Sequence, residues 1–169
     1  MRIMGIVGWS GSGKTSLVTA LLPVLRRRGL QVSTMKHTHH RFDLDTEGKD
    51  SWKHREAGAS EVLVVAAHRW VLMHENREAP EPSIESLIER MTPVDLLLIE
   101  GFKTHPHPKI EVHRRSEGKP LLVGGDPHIV AVASDEALPD LPVPRLDLDD
   151  PEAVADFILA WNPGQPIYK

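Results

Sequence analysis

The sequence predicts an α/β fold of three layers with a largely parallel sheet, and three observations predict it. A short apolar run ends in a glycine-rich turn at Gly8, and that turn opens an amphipathic helical stretch. A second apolar run begins just beyond the helix, so the N-terminal part reads as strand, helix, strand. Strand-like and helical runs then keep alternating, with no internal repeat and no low-complexity linker. At 169 residues, 40% hydrophobic and 26% charged, the chain is long enough for one ordinary domain. We read residues 1–169 as that single domain, with 162–169 as an extended tail.

Each element has its own warrant. Residues 2–7 form a buried first strand. Residues 14–28 follow with Leu17, Val18, Leu21, Leu22 and Leu25 at helical spacing; Pro23 is expected to kink this helix and Gly29 to end it. Residues 30–35 are the second strand, and 36–50 turn polar as a long loop. Asp50 or Ser51 caps a short helix to about Ala57, and residues 61–66 and 70–74 are two more strands. Residues 83–91 make a helix with Ser83 and Ser86 as alternative starts. Residues 95–99, 109–113 and 129–133 read as strands, and 151–161 as a helix begun by Asp149-Asp150-Pro151.

Composition excludes several classes of chemistry. With no cysteine there are no disulfides, thiolate metal sites or cysteine nucleophiles. The net charge of −4 gives no footprint for nucleic acid, and Arg26-Arg27-Arg28 reads as a complement to a helix C-terminus. No segment has the length of a membrane span or the pattern of a signal peptide, so a cytoplasmic location is expected.

Gly8-Trp9-Ser10-Gly11-Ser12-Gly13-Lys14-Thr15 fits G-x-x-x-x-G-K-[ST] without a mismatch. The glycines let successive backbone N–H groups turn inward toward phosphate oxygens, and the helix opening at Lys14, Thr15 and Ser16 adds its positive end. Lys14 is placed for the β- and γ-phosphates and the Thr15 hydroxyl for Mg²⁺. The motif lies between an apolar strand and an amphipathic helix, as the chemistry requires.

Glu100 ends the apolar strand before Gly101 and so meets the same sheet edge as the phosphate loop. It reads either as part of the metal's coordination shell or as an ordinary strand-end carboxylate. Asp95, at the opposite end, reads as solvated or capping. The loop after the second strand offers Lys36 and Asp45 to the nucleotide or its Mg²⁺, with His37, His39 and His40 as polar loop groups or metal ligands. Asp135 has two open readings: a carboxylate that accepts from guanine's N1–H and 2-amino group, or a helix N-cap.

Taken together, Gly8 to Thr15, Met35-Lys36-His37-Thr38-His39-His40, the segment DLDTEGKDSWKHREAG (Asp43 to Gly58) and Leu97-Leu98-Ile99-Glu100-Gly101-Phe102-Lys103 resemble the MobB family of molybdopterin-guanine dinucleotide biosynthesis adapter proteins. The resemblance runs from Val7 to about His113. It implies a P-loop NTPase fold and a GTP-binding protein with weak hydrolysis. It further implies a homodimer that assists the guanylyltransferase joining GMP to molybdopterin. By motif position, Gly11 to Thr15 hold phosphate and Glu100 lies near Mg²⁺. Asp45, Gly48 and Lys49 face the active-site edge or a partner.

Two other classes remain open on the residues alone. A small-molecule kinase would use the same loop for ATP, with Asp43 or Asp45 orienting an acceptor hydroxyl. A metallochaperone-type GTPase would use His37 and His39 as ligands. No arginine finger or water-orienting glutamine stands out in the sequence, so hydrolysis is expected to be slow.

Overall fold

The computed structural model describes residues 1–38 and 42–161. The expectations placed on His39, His40 and the tail at 162–169 lie outside the described residues. In chain order the elements are β1 (Arg2–Val7), α1 (Lys14–Arg27), β2 (Val32–Lys36), α2 (Asp50–Glu56), β3 (Glu61–Ala66), β4 (Arg69–His74), α3 (Ile84–Glu89), β5 (Leu96–Glu100), β6 (Lys109–His113), β7 (Ile129–Ser134), β8 (Arg145–Asp147) and α4 (Pro151–Ala160), with a 3-10 turn at Arg115–Glu117. The chain divides into two compact units, Met1–His37 with Thr92–Lys169, and Thr38–Met91.

The first unit is built on a six-stranded sheet of order β2-β5-β1-β6-β7-β8, parallel at every pairing. A parallel sheet delivers all its strand C-termini to one edge, which gathers the loops after β1, β2, β5, β6 and β7 there. This is the α/β P-loop architecture that the sequence predicts. One face of the sheet, with Met4, Ile6, Leu98, Ile110, Val112 and Ala131, packs against Leu17, Leu21 and Leu25 of α1 and Val154 and Ile158 of α4.

Several boundaries move for local reasons. Leu30 does not start β2, because its N–H bonds to the Leu25 carbonyl while Gly29 bonds to Arg26, closing the turn at the end of α1. β2 then runs to Lys36, which pairs with Glu100 of β5. Asp95 precedes β5 and accepts the Gln31 N–H at 2.7 Å, the capping role. Helix α1 continues through Pro23. Pro23 and Thr19, whose carbonyl loses a partner, both sit on the exposed side, where that carbonyl is open to solvent. Arg27 and Arg28 do more than meet a helix end: they pair with Glu152 and Asp156 and so join α1 to α4. Asp150 caps α4 through the Ala153 N–H at 3.0 Å.

On the other face, the connection at residues 101–108 passes over Gly5. A Cβ built on Gly5 would lie 2.5 Å from His107 Nε2 and 2.6 Å from Lys109 Cγ, so only glycine admits this approach. His107 is fully buried, and burial above all, with Lys109 and His105 nearby, pushes its pKa down to about 4. The buried Lys109 ammonium donates to the Lys103 carbonyl and to Asp126.

The second unit carries α2, the antiparallel β3–β4 hairpin and α3. Ser83, of the two expected starts, caps α3, its hydroxyl accepting from Ser86 N–H. Arg55 is the unit's polar node, paired with Asp43, Asp45 and Glu75. The hairpin aligns Leu63 with Leu72 and Val65 with Trp70, and these four share one face. That face is open: Leu63 is 57% exposed, Val65 67% and Trp70 65%.

Candidate phosphate site

The phosphate loop joins β1 to α1. Gly8 has φ 147°, and a Cβ there would meet the Val112 carbonyl of β6 at 2.5 Å. Gly13, with φ 95°, turns the chain into α1. Both positions therefore demand glycine for conformation, and Gly8 for space as well. The loop borders an open cavity of about 330 Å³ lined by Ser10, Gly11, Gly13, Lys14, Thr15, Ser16, Lys36 and Glu100.

The predicted residues meet at this cavity. Thr15 Oγ1 donates to Glu100 Oε1 at 2.9 Å. Lys36 Nζ lies 3.1 Å from the same carboxylate oxygen and 3.3 Å from the Thr15 hydroxyl. Lys14 Nζ folds back onto the Trp9 carbonyl at 2.7 Å. Burial lowers the Lys14 pKa; Glu100 opposes this, while Lys103 and Lys36 add to it. Two ammonium groups, Lys14 and Lys36, thus line one small cavity, an arrangement that an anion relieves.

Thr15 and Glu100 also fit a magnesium ion. They are hard oxygen donors in mutual contact, and Mg²⁺ is commonly held by one or two protein oxygens with phosphate and water completing the shell. Among the described residues there is no cluster of three or more His, Asp or Glu side chains arranged for a metal.

Glu100 is held by a strained turn. Gly101 has φ 99° and Phe102, unusually for a bulky residue, φ 49°. Phe102 stacks on His37 at 4.3 Å between ring centroids, and His37 N–H donates to the Glu100 carbonyl. The β2 and β5 ends are thereby tied together beside the cavity.

The opposite flank carries residues that the sequence did not single out. A Cβ on Gly13 would lie 3.0 Å from Arg114 Nε, and one on Gly11 would lie 2.8 Å from the Glu117 carboxylate. Asp135 accepts from Arg115 N–H at 3.0 Å and from Arg114 Nη1 at 3.4 Å. The Arg115 N–H and Arg114 together hold its carboxyl below the usual range. Trp9 Nε1 donates to the Pro120 carbonyl, and buried Glu111 accepts from Leu122 and Val123 N–H, so the loop after β6 is pinned beside the phosphate loop. No sequence pattern marks Arg114 or Glu117; only the parallel pairing of β6 with β1 brings them here.

Asp45 belongs to the second unit. Its oxygens accept from Ser51 Oγ, Thr46 N–H and Arg55, and these hold its pKa down. Asp43 is engaged by the same arginine.

Comparison with known proteins agrees with this geometry. The family model for molybdopterin guanine dinucleotide synthesis protein B, MobB, matches residues 3–135. The chain is 41% identical over 166 residues to the molybdopterin-guanine dinucleotide biosynthesis adapter protein of Escherichia coli K12, covering 96% of this chain and 94% of that one. It is 43% identical over 162 residues to the Haemophilus influenzae protein of the same description, covering 94% and 88%. The crystal structure of Bacillus subtilis MobB superposes with a TM-score of 0.74 at 27% identity, covering 98% of this chain and 100% of that one. With its phosphate loop, its fold and most of its length accounted for in this way, the chain belongs to the MobB family.

Proposed function

We propose that this protein is an adapter in molybdopterin-guanine dinucleotide biosynthesis that binds GTP with Mg²⁺ and assists the guanylyltransferase. The observation that carries this reading is the cavity where Lys14, Lys36, Thr15 and Glu100 converge on the phosphate loop. The descriptions of the E. coli and H. influenzae relatives supply the pathway. Backbone N–H groups of Gly11, Ser12, Gly13 and Lys14 and the start of α1 at Thr15 and Ser16 cradle the phosphates, with Gly8 and Ser10 shaping the loop. Lys14 leaves the Trp9 carbonyl for a phosphate oxygen, and Lys36 adds a second cation. Thr15 and Glu100 hold the metal, which neutralises phosphate charge.

Asp135 reads the base, at the end of β7. With Ser51, Thr46 and Arg55 on its oxygens, Asp45 shapes residues 43–58, which we assign to the partner enzyme. Hydrolysis is slow in this reading, because Glu100, the one carboxylate lining the cavity among the described residues, is taken up by the metal and is not available to orient an attacking water. The hairpin supports a homodimer: a two-stranded ribbon with open edges and an apolar face is marginal alone and gains by pairing with a second copy.

Titration with GTP and ATP in the presence of Mg²⁺ tests the assignment. Saturable binding with GTP preferred is expected, and Lys14→Ala should weaken it by about a hundredfold, as loss of a charge-assisted phosphate contact implies. Tighter binding of ATP would remove the guanine assignment. Unchanged affinity in Lys14→Ala would remove the site.

A further inference from the structure

Arg114 stands where neither the phosphate-loop motif nor the metal pair requires a residue. Its guanidinium packs against Gly13, at 3.0 Å from Nε and 3.5 Å from Nη2 to the position of a Cβ there. About a third of its side chain is exposed, so a ligand at the loop can reach it. Its bond to Asp135 is long, at 3.4 Å. Asp135, by contrast, is anchored independently by the Arg115 N–H at 3.0 Å through its other oxygen. The pair is therefore asymmetric: the carboxylate stays in place without the arginine, and the arginine is free to exchange partners.

Strand order fixes which part of a nucleotide Arg114 would meet. Glu100 and Lys36 lie on β5 and β2, to one side of β1, and Arg114 follows β6, on the other side. Thr15, Glu100 and Lys14 mark the metal and γ-phosphate end. A nucleotide running along the loop from that end brings its nucleoside-proximal phosphate to the Gly13 and Arg114 side. The Glu117 carboxylate, against Gly11, places an unfavourable negative charge on this flank, and the Arg114 guanidinium, against Gly13, brings a positive charge to the same flank.

We propose that Arg114 is a nucleotide-binding residue that exchanges its bond to Asp135 for the nucleoside-proximal phosphate, freeing an Asp135 oxygen toward the base. The forked guanidinium suits a phosphate better than it suits the single carboxylate oxygen it now meets. One movement then couples phosphate binding to base reading. This rests on the GTP-binding reading above and deepens it.

The test is equilibrium binding of GTP and GDP, each with Mg²⁺, to the full-length wild type, Lys14→Ala, Arg114→Ala, Asp135→Asn and the Arg114→Ala/Asp135→Asn double variant. Arg114→Ala should weaken GTP and GDP equally, by about tenfold or more, since both carry the nucleoside-proximal phosphate. The loss should persist in the Asp135→Asn background. Arg114→Gln, which keeps length and polarity, repeats the measurement if the alanine variant unfolds. Loss confined to GTP would place Arg114 at the γ-phosphate and overturn the assignment. Loss that vanishes in the Asp135→Asn background would make Arg114 a mere prop for Asp135 and also overturn it. Wild type that binds with Lys14 dependence, alongside unchanged Arg114→Ala, would overturn this proposal alone. Absence of Lys14-dependent binding in the wild type would overturn the GTP-binding reading with it.

Discussion

β5 and the β3–β4 hairpin are equally apolar in sequence and opposite in fate. All five residues of β5 are buried, whereas six of the hairpin's large apolar residues are exposed. β5 has a hydrogen-bonded neighbour on each side, β1 and β2, and helix α1 packs on it; among the described residues the hairpin strands pair only with each other. Strand propensity is thus the same in both places, and burial decides what each strand does for the molecule. β5 supports the fold and carries Glu100 to the site. The hairpin leaves its apolar face open to solvent.

The sharpest way to break this comparison is to truncate one leucine in each. Leu98→Ala in β5 should cost about 2–5 kcal/mol in chemical denaturation, the loss of transfer energy plus a cavity. Leu63→Ala in the hairpin should cost no more than about 0.5 kcal/mol in dilute protein, while weakening self-association in sedimentation. Similar costs at the two sites would collapse the distinction.

The sheet's second face adds a pH dependence through His107. The folded pKa of His107 is lowered from 6.5 to about 4, so the folded state stays neutral while the unfolded chain takes up a proton. Stability from this group is full above about pH 6.5 and is lost as pH falls toward 4, on the order of 3 kcal/mol over the whole window. Denaturation between pH 7 and 5 should show the slope, and His107→Gln should flatten it. A slope unchanged by that substitution would assign it to other groups.

Gly5→Ala should come next, at about 1–3 kcal/mol, because its Cβ would enter the space of His107 and Lys109. Thermal unfolding measures it; a neutral result would mean the 101–108 connection yields at no cost. The smallest effect concerns the site itself. Glu117→Gln removes a negative charge beside Gly11 and should tighten GTP binding by roughly twofold to fivefold, more at low salt. Weaker binding would mean that Glu117 has a positive role.

How far the sequence reveals this molecule follows the same divide. β1, the phosphate loop and α1 were legible because apolar period, glycine spacing and helix pattern all point one way. Glu100 was legible because a strand end on a parallel sheet has only one destination. β8 was not, since Arg145-Leu146-Asp147 is too short to show a period and exists by pairing with β7. Arg114 and Glu117 were not, because a site residue after β6 is defined by which strand β6 neighbours, a long-range fact. The hairpin strands were legible as strands, yet their sequence does not say which face stays open.

A crystal structure with a non-hydrolysable GTP analogue and Mg²⁺ decides how the phosphate loop, metal pair and base flank share one nucleotide. The metal should lie beside Thr15 and Glu100, with Lys14 turned from the Trp9 carbonyl onto phosphate and the guanine on the Arg114 and Asp135 flank of β1. A base lying on the Lys36 side, or a metal held away from Thr15 and Glu100, would contradict it.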